Sequence, residues 1–137
     1  MQTSTTEKSR LAENVLHFTG KNKDLGQLSQ AIVQQLSSDG YKTQSKNSPM
    51  GYIIQAQKAG ILRDVIAADR AFTIVVSGQP ADFTVHIGIG KWVQNLGVTA
   101  VEALLLSELF LAVDVPEMLW TKHVENGVAK EITQIVG

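Results

Sequence analysis

The chain has 137 residues, the size of one domain and long enough to bury a real core. It is 44% apolar and 6% aromatic, which argues against global disorder and makes Leu, Ile, Val and Ala the expected core. A net charge of −1 gives no bulk electrostatic case for nucleic acid, and the lack of cysteine excludes disulfides, thiol catalysis and the usual structural zinc sites.

Charge is distributed unevenly. Residues 1–60 carry seven basic and four acidic side chains, a net of +3, whereas residues 100–137 carry two basic and six acidic, a net of −4. Ordinary solvated charges account for such a split, and so does a polarity across the surface. Residues 1–12 are polar and rich in Ser and Thr, with no apolar run of the signal-peptide kind, and are expected to form a flexible tail ahead of a single domain over 13–137. The absence of cysteine fits a reducing, cytoplasmic setting.

Asn14 to Gly20 alternates, with Leu16 and Phe18 on one side and Val15, His17 and Thr19 on the other, which predicts a strand. Leu25, Leu28, Ile32 and Leu36 recur at three and four and predict a helix over 24–39. Asp24 or Asn22 is suited to cap its start, and Gly40 to supply a left-handed residue past its end. Its outer face carries Gln27, Gln30, Gln34 and Ser37 with no Lys or Glu, an unusual uncharged polar surface. Tyr41 to Lys46 reads as a half-exposed strand near an edge, where lysines discourage stray pairing. A turn is expected at 47–51 and a strand over 52–58.

Residues 59–68 fit a short helix better than alternation. Ala71 to Ser77 is apolar on nearly both faces. Phe83, Val85, Ile87 and Ile89 alternate with Thr84, His86, Gly88 and Gly90, so the two runs predict an antiparallel hairpin about a turn at 78–82. After the apolar stretch that begins at Trp92, Pro116 ends one helix and opens the next. In that last helix Val124, Val128, Ile132 and Ile135 form a stripe with Trp120 beside it, opposite Lys122, Asn126, Lys130 and Thr133. The order β-α-β-β-(α)-β-β-α-α predicts an α+β fold in two layers, a mostly antiparallel five-stranded sheet with helices on one face.

The distinctive stretch is 92–115. Twelve of the sixteen residues from Val98 to Val113 are apolar. At about 100° per residue, Asn95, Thr99 and Glu102 share a narrow polar stripe that ends where Leu106 and Leu109 stand. A helix apolar all round is covered on every side. A membrane span needs about 20 apolar residues, and each glutamate at the bilayer centre, here Glu102 and Glu108, costs roughly 2.5–3.5 kcal/mol. Three coverings remain open: the protein's own sheet and last helix, a second copy, or lipid. With strands running up and down, Lys58, Arg63, Arg70 and Lys91 gather around Trp92 at one sheet end, a composition suited to phospholipid headgroups. Lys21, Lys23 and Lys46 lie at the other end. Local neutralisation of Arg63 and Arg70 by Asp64 and Asp69, with Trp92 as an apolar lid, is the plainer account of the same residues.

The span from Val15 to Trp92 resembles a group of small uncharacterised bacterial domains, several of them cyanobacterial. GYKTQ (40–44), GYIIQAQKAG (51–60), AFTIVVSG (71–78) and DFTVHIGIGKW (82–92) carry the resemblance, with an apolar helical segment after them. It implies a sheet with apolar C-terminal helices and lipid or membrane association, and it carries no catalytic residue. Glu102 and Glu108 depart from the smoother Gly, Ala and Leu segments expected of the group, which counts against membrane insertion.

His17, His86 and His123 lack metal-ligand spacing, Gly88-Ile89-Gly90-Lys91 lacks the phosphate-loop pattern, and no nucleophile motif occurs. No cofactor, metal or catalytic residue is expected. The leading expectation is therefore a non-enzymatic phospholipid-binding or peripheral membrane protein. Lys58, Arg63, Arg70, Lys91 and Trp92 would face headgroups, and Leu104, Leu105, Leu109, Phe110, Leu111 and Trp120 would contact lipid or a partner. A homo-oligomer formed through 98–113 is the second expectation. A small-ligand sensor or enzyme on the outer sheet face near His17 and His86 is the third.

Overall fold

The structure, a computed structural model, describes residues 14–48, 51–57, 70–93, 96 and 115–137. Period-two alternation produces five strands: β1 (Asn14–Thr19), β2 (Lys42–Ser48), β3 (Gly51–Gln57), β4 (Arg70–Gln79) and β5 (Asp82–Lys91). Two helices accompany them, α1 (Leu25–Ser38) and α2 (Val115–Val136). The expected short helix over 59–68 and most of the apolar stretch after Trp92 lie outside the described residues.

The sheet order is β1-β5-β4-β3-β2, with every neighbouring pair antiparallel. β2 to β5 form a meander, and β1 closes the far edge against β5. β2 is an edge strand, as its lysines predict. The β4–β5 turn is tighter than 78–82: pairing continues to Gln79↔Asp82, leaving only Pro80 and Ala81 between the strands. β2 likewise runs on to Ser48, two residues past the expected end.

α1 forms where its sequence signals place it. The Asp24 side chain accepts from Gln27 N at 3.0 Å, filling one donor that the first turn leaves free. At the other end Gly40 takes φ 97°, Gly40 N donates to Ser37 O and Tyr41 N to Leu36 O, both at 3.0 Å. This pair of bonds is the Schellman arrangement, which satisfies carbonyls of the last turn. It delivers Tyr41 onto the core, where its ring meets Phe72 edge-on.

Leu25, Leu28, Ile32 and Leu36 of α1 and Val128, Ala129, Ile132 and Val136 of α2 pack on one sheet face. They meet Ile54, Phe72, Ile74, Val76, Phe83, Val85, Ile87 and Ile89. In α2 the buried face turns toward Ala129, so Val136 is enclosed and Ile135 sits on the flank, only partly buried. Fully burying such a side chain contributes about 1.5–3 kcal/mol.

The opposite sheet face is not left to solvent at its centre. Ile53, Gln55, Ala71 and Thr73 are fully enclosed, and Val93 and Leu96 pack with Ile53 and Val75 in a second apolar cluster. This explains why β4 is apolar on both sides.

Between the helices, Gln35 Nε2 donates to Asp39 Oδ1 at 3.2 Å and to Glu131 Oε2 at 3.5 Å. Burial raises the Glu131 carboxyl above its ordinary range, and a hydrogen bond and like charge from Asp39 add to the rise. A carboxyl raised on folding supports the native state fully below its unfolded value near pH 4.5. That support is lost as pH climbs through the folded value. Glu131→Gln is therefore expected to stabilise at pH 7, by under about 1 kcal/mol for a pair this exposed. Urea unfolding at pH 7 and again below about pH 4 should show the gain disappear in acid.

Gly51 opens β3 at φ 125°, and a Cβ there would stand 2.4 Å from Val76 O. Gly51→Ala is expected to cost at least about 3 kcal/mol in the same assay, because a backbone clash adds to the strained dihedral.

Candidate functional site

The candidate surface is the end of the sheet where β4 begins and β5 finishes. Pairing sets Arg70 directly opposite Lys91, and Trp92 follows at once. Lys91 is exposed and Trp92 half-buried. Lys42, at the start of β2, lies on the same side, with its Nζ 5.0 Å from the centroid of the Trp92 ring. A cation over an indole face at a surface site contributes about 0.5–1 kcal/mol.

What holds Trp92 there is a buried amide. Gln55 sits in the middle of β3 with no solvent exposure. Its Nε2 donates to Thr73 Oγ1 at 3.1 Å and to Lys91 O at 2.6 Å. Its Oε1 accepts from Gln44 Nε2 and from Val93 N, each at 2.9 Å. A primary amide has two donors and two acceptor positions, and here all four are used. Gln44 Nε2 also donates to Val93 O at 2.8 Å. Both backbone groups of Val93 are thus taken by glutamine side chains reaching from β2 and β3. The chain leaving β5 is drawn across the outer face over β4, and Trp92 is fixed between two anchored neighbours, Lys91 and Val93.

Of the residues expected at headgroups, Arg70, Lys91 and Trp92 stand at one end of the sheet by strand register, and Lys58 and Arg63 lie outside the described residues. Leu104, Leu105, Leu109, Phe110 and Leu111, the expected apolar contacts, also lie outside them, as does the expected 98–113 interface. Trp120 belongs to the first half of α2. Lys42 is an addition that the sequence reading assigned to edge protection alone. Its signal was the β2 alternation, which sets Lys42, Gln44 and Lys46 on one face; only the pairing register brings that face to Trp92.

At the opposite end His17 Nε2 meets Asp82 Oδ1 at 2.5 Å, an exposed pair. His86 stands opposite Val15 in the ladder. The two histidines share the outer face, but the hydrogen bond of His17 goes to Asp82. Among the described residues no group of three His, Asp or Glu side chains is placed to hold a metal ion. None of the described helices is long and apolar enough to cross a membrane. Comparison with protein-family models, with curated proteins and with solved structures finds no match.

Replacing Gln55 with Leu keeps the volume but removes the amide that partners Val93 N, Lys91 O and Thr73 Oγ1, and one of the two partners of Gln44 Nε2. A buried group left without a partner costs about 1–3 kcal/mol, so Gln55→Leu is expected to destabilise the fold by about 2–4 kcal/mol in total. Hydrogen exchange reads the same event locally: the Val93 amide should lose protection well before the β4–β5 ladder does.

Proposed function

We propose that this domain is a non-enzymatic binding module that docks on anionic phospholipid surfaces through Lys42, Arg70, Lys91 and Trp92. One observation carries the reading. Lys42 Nζ stands over the Trp92 ring, and the strand register sets Lys91, the residue before it, opposite Arg70 at the same end of the sheet. Cations near an anionic leaflet contribute about 1 kcal/mol each, and tryptophan favours the headgroup level. Among the described strand positions of the outer face, the sole acidic residue is Asp82. It stands at the far end, engaged by His17. No carboxylate on those strand positions therefore opposes approach of the cationic end to negative lipid. Because the backbone on both sides of Trp92 is anchored through Gln55, little main-chain entropy remains to be lost on docking. The apolar run from Val98 to Val113 is the source of any deeper contact with acyl chains.

Co-sedimentation with phosphatidylserine and with phosphatidylcholine vesicles tests the reading. Binding is expected to the anionic vesicles only, falling away by about 0.5 M salt as screening shortens the reach of the cations. Lys42→Glu and Lys91→Glu should each weaken it by roughly fivefold or more. No sedimentation with either vesicle, or equal binding to both that ignores salt, would rule the proposal out.

A further inference from the structure

The other end of the molecule carries a separate concavity. The first turn of α1 and the β2–β3 hairpin enclose an open cleft of about 410 Å³, lined by Asp24, Gln27, Ser29, Lys46, Asn47 and Tyr52 among others. A second hollow of about 310 Å³ adjoins it through Asn47 and Tyr52. Together they reach the size range of small-molecule sites.

Two features mark this cleft as built to hold something polar. Ser29 is 5% exposed, and its Oγ has no hydrogen-bond partner among the described residues. A helical serine ordinarily escapes that cost by bonding the carbonyl four residues back, and this one does not. The second feature is Gly26. A Cβ there would stand 3.2 Å from the Tyr52 hydroxyl and 3.3 Å from Asp24 Oδ1. Glycine is disfavoured inside helices relative to alanine, and here it lets the phenol lie against the first turn.

The lining selects a class of ligand. The Asp24 carboxylate caps α1, where the positive end of the helix offsets its charge, so the cleft favours neither a net anion nor a net cation. Asp24 Oδ1 is already engaged by the α1 backbone, which further offsets the pull of a helix N-terminus on anions. The amides of Gln27 and Asn47 offer donors and acceptors side by side, and the hydroxyls of Ser29 and Tyr52 each do both. Vicinal hydroxyls on a small ring match that set, because each also donates and accepts. The Tyr52 ring, only partly buried, supplies apolar surface for the carbon face of such a ring. We propose that this cleft binds a small uncharged polyhydroxylated molecule of the sugar or cyclitol class. The site is independent of the Trp92 end of the sheet, so either proposal stands if the other fails.

Amide shift titrations of the ¹⁵N-labelled full chain with glucose, trehalose and myo-inositol test it, with inorganic phosphate and glycine as charged and zwitterionic comparisons. Saturable shifts at Gly26, Ser29, Asn47 and Tyr52 with at least one of the three polyols are expected. Ser29→Ala should weaken that binding about tenfold while leaving Tm unchanged or higher, since it removes a buried hydroxyl with no partner in the free protein. Gly26→Ala, which crowds the Tyr52 hydroxyl, should weaken binding likewise. The proposal is overturned if none of the polyols gives saturable shifts up to about 50 mM. Saturation by phosphate or glycine alone would overturn it, as would a Ser29→Ala variant that binds like the parent. A fall in Tm for Ser29→Ala would also count against it, by showing that the hydroxyl already has a partner.

Discussion

The structure depends on one amide. Gln55 has a side chain that water would ordinarily keep, yet it is enclosed at the centre of a five-stranded sheet. Burying an unpaired amide is costly, but this one has all four of its hydrogen-bonding positions filled, so the cost is offset. The partners are also well chosen. Thr73 and Gln44 come from the two flanking strands, and Lys91 and Val93 from the segment that leaves β5. A single side chain therefore joins three strands to a crossing segment. The two glutamines treat Val93 much as a neighbouring strand would, taking its N–H and its C=O together. Without them, only the packing of Val93 and Leu96 on Ile53 and Val75 would hold the segment after β5 over the sheet.

From that crossing follows the difference between the two ends of the sheet. At one end the chain turns over the outer face, and Trp92 lies beneath the Lys42 ammonium. At the other, the β4–β5 turn is clamped to the β1–α1 connection by Gly20 N to Ala81 O and Lys23 N to Pro80 O. Lys21 Nζ reaches Gly137 O at the C-terminal end of α2, where a cation complements the helix dipole. Lysines at this end are thus partly spent on internal structure. Those around Trp92 include exposed Lys42 and Lys91, which keep their charge at the surface.

Much of the architecture was legible in the residues. Leu25, Leu28, Ile32 and Leu36 announced α1, Asp24 and Gly40 announced its ends, and the alternation of Phe83 to Ile89 announced β5. These signals are local, set by side chains within a turn or a strand of one another. What stayed hidden depends on register between distant strands. Gln55 alternates with Ile54 and Ala56 and so reads as a solvent-facing polar residue. The clue to its burial lay on its neighbour, where Ala71 and Val75 make β4 apolar on both sides. Lys42 was likewise visible as an edge lysine but not as a companion of Trp92. The cleft beside α1 left only a faint trace, a helix face of uncharged glutamines and one glycine in the first turn. The unpaired hydroxyl of Ser29 has no sequence signature at all.

The place of β1 carries a consequence of a different kind. Its pairing with β5 joins Asn14 to Ile87, whereas β2 to β5 are laid down by nearest-neighbour pairings along the chain. Bringing together segments about 70 residues apart forfeits more chain entropy than closing a hairpin, so this ladder raises the contact order of the sheet. Until it closes, β5 presents an unsatisfied edge of alternating Val and Ile, the kind that invites another chain to pair. The meander is locally encoded and β1 is its guard, so the segment that matters most for keeping nascent copies apart is synthesised first and must wait for its site.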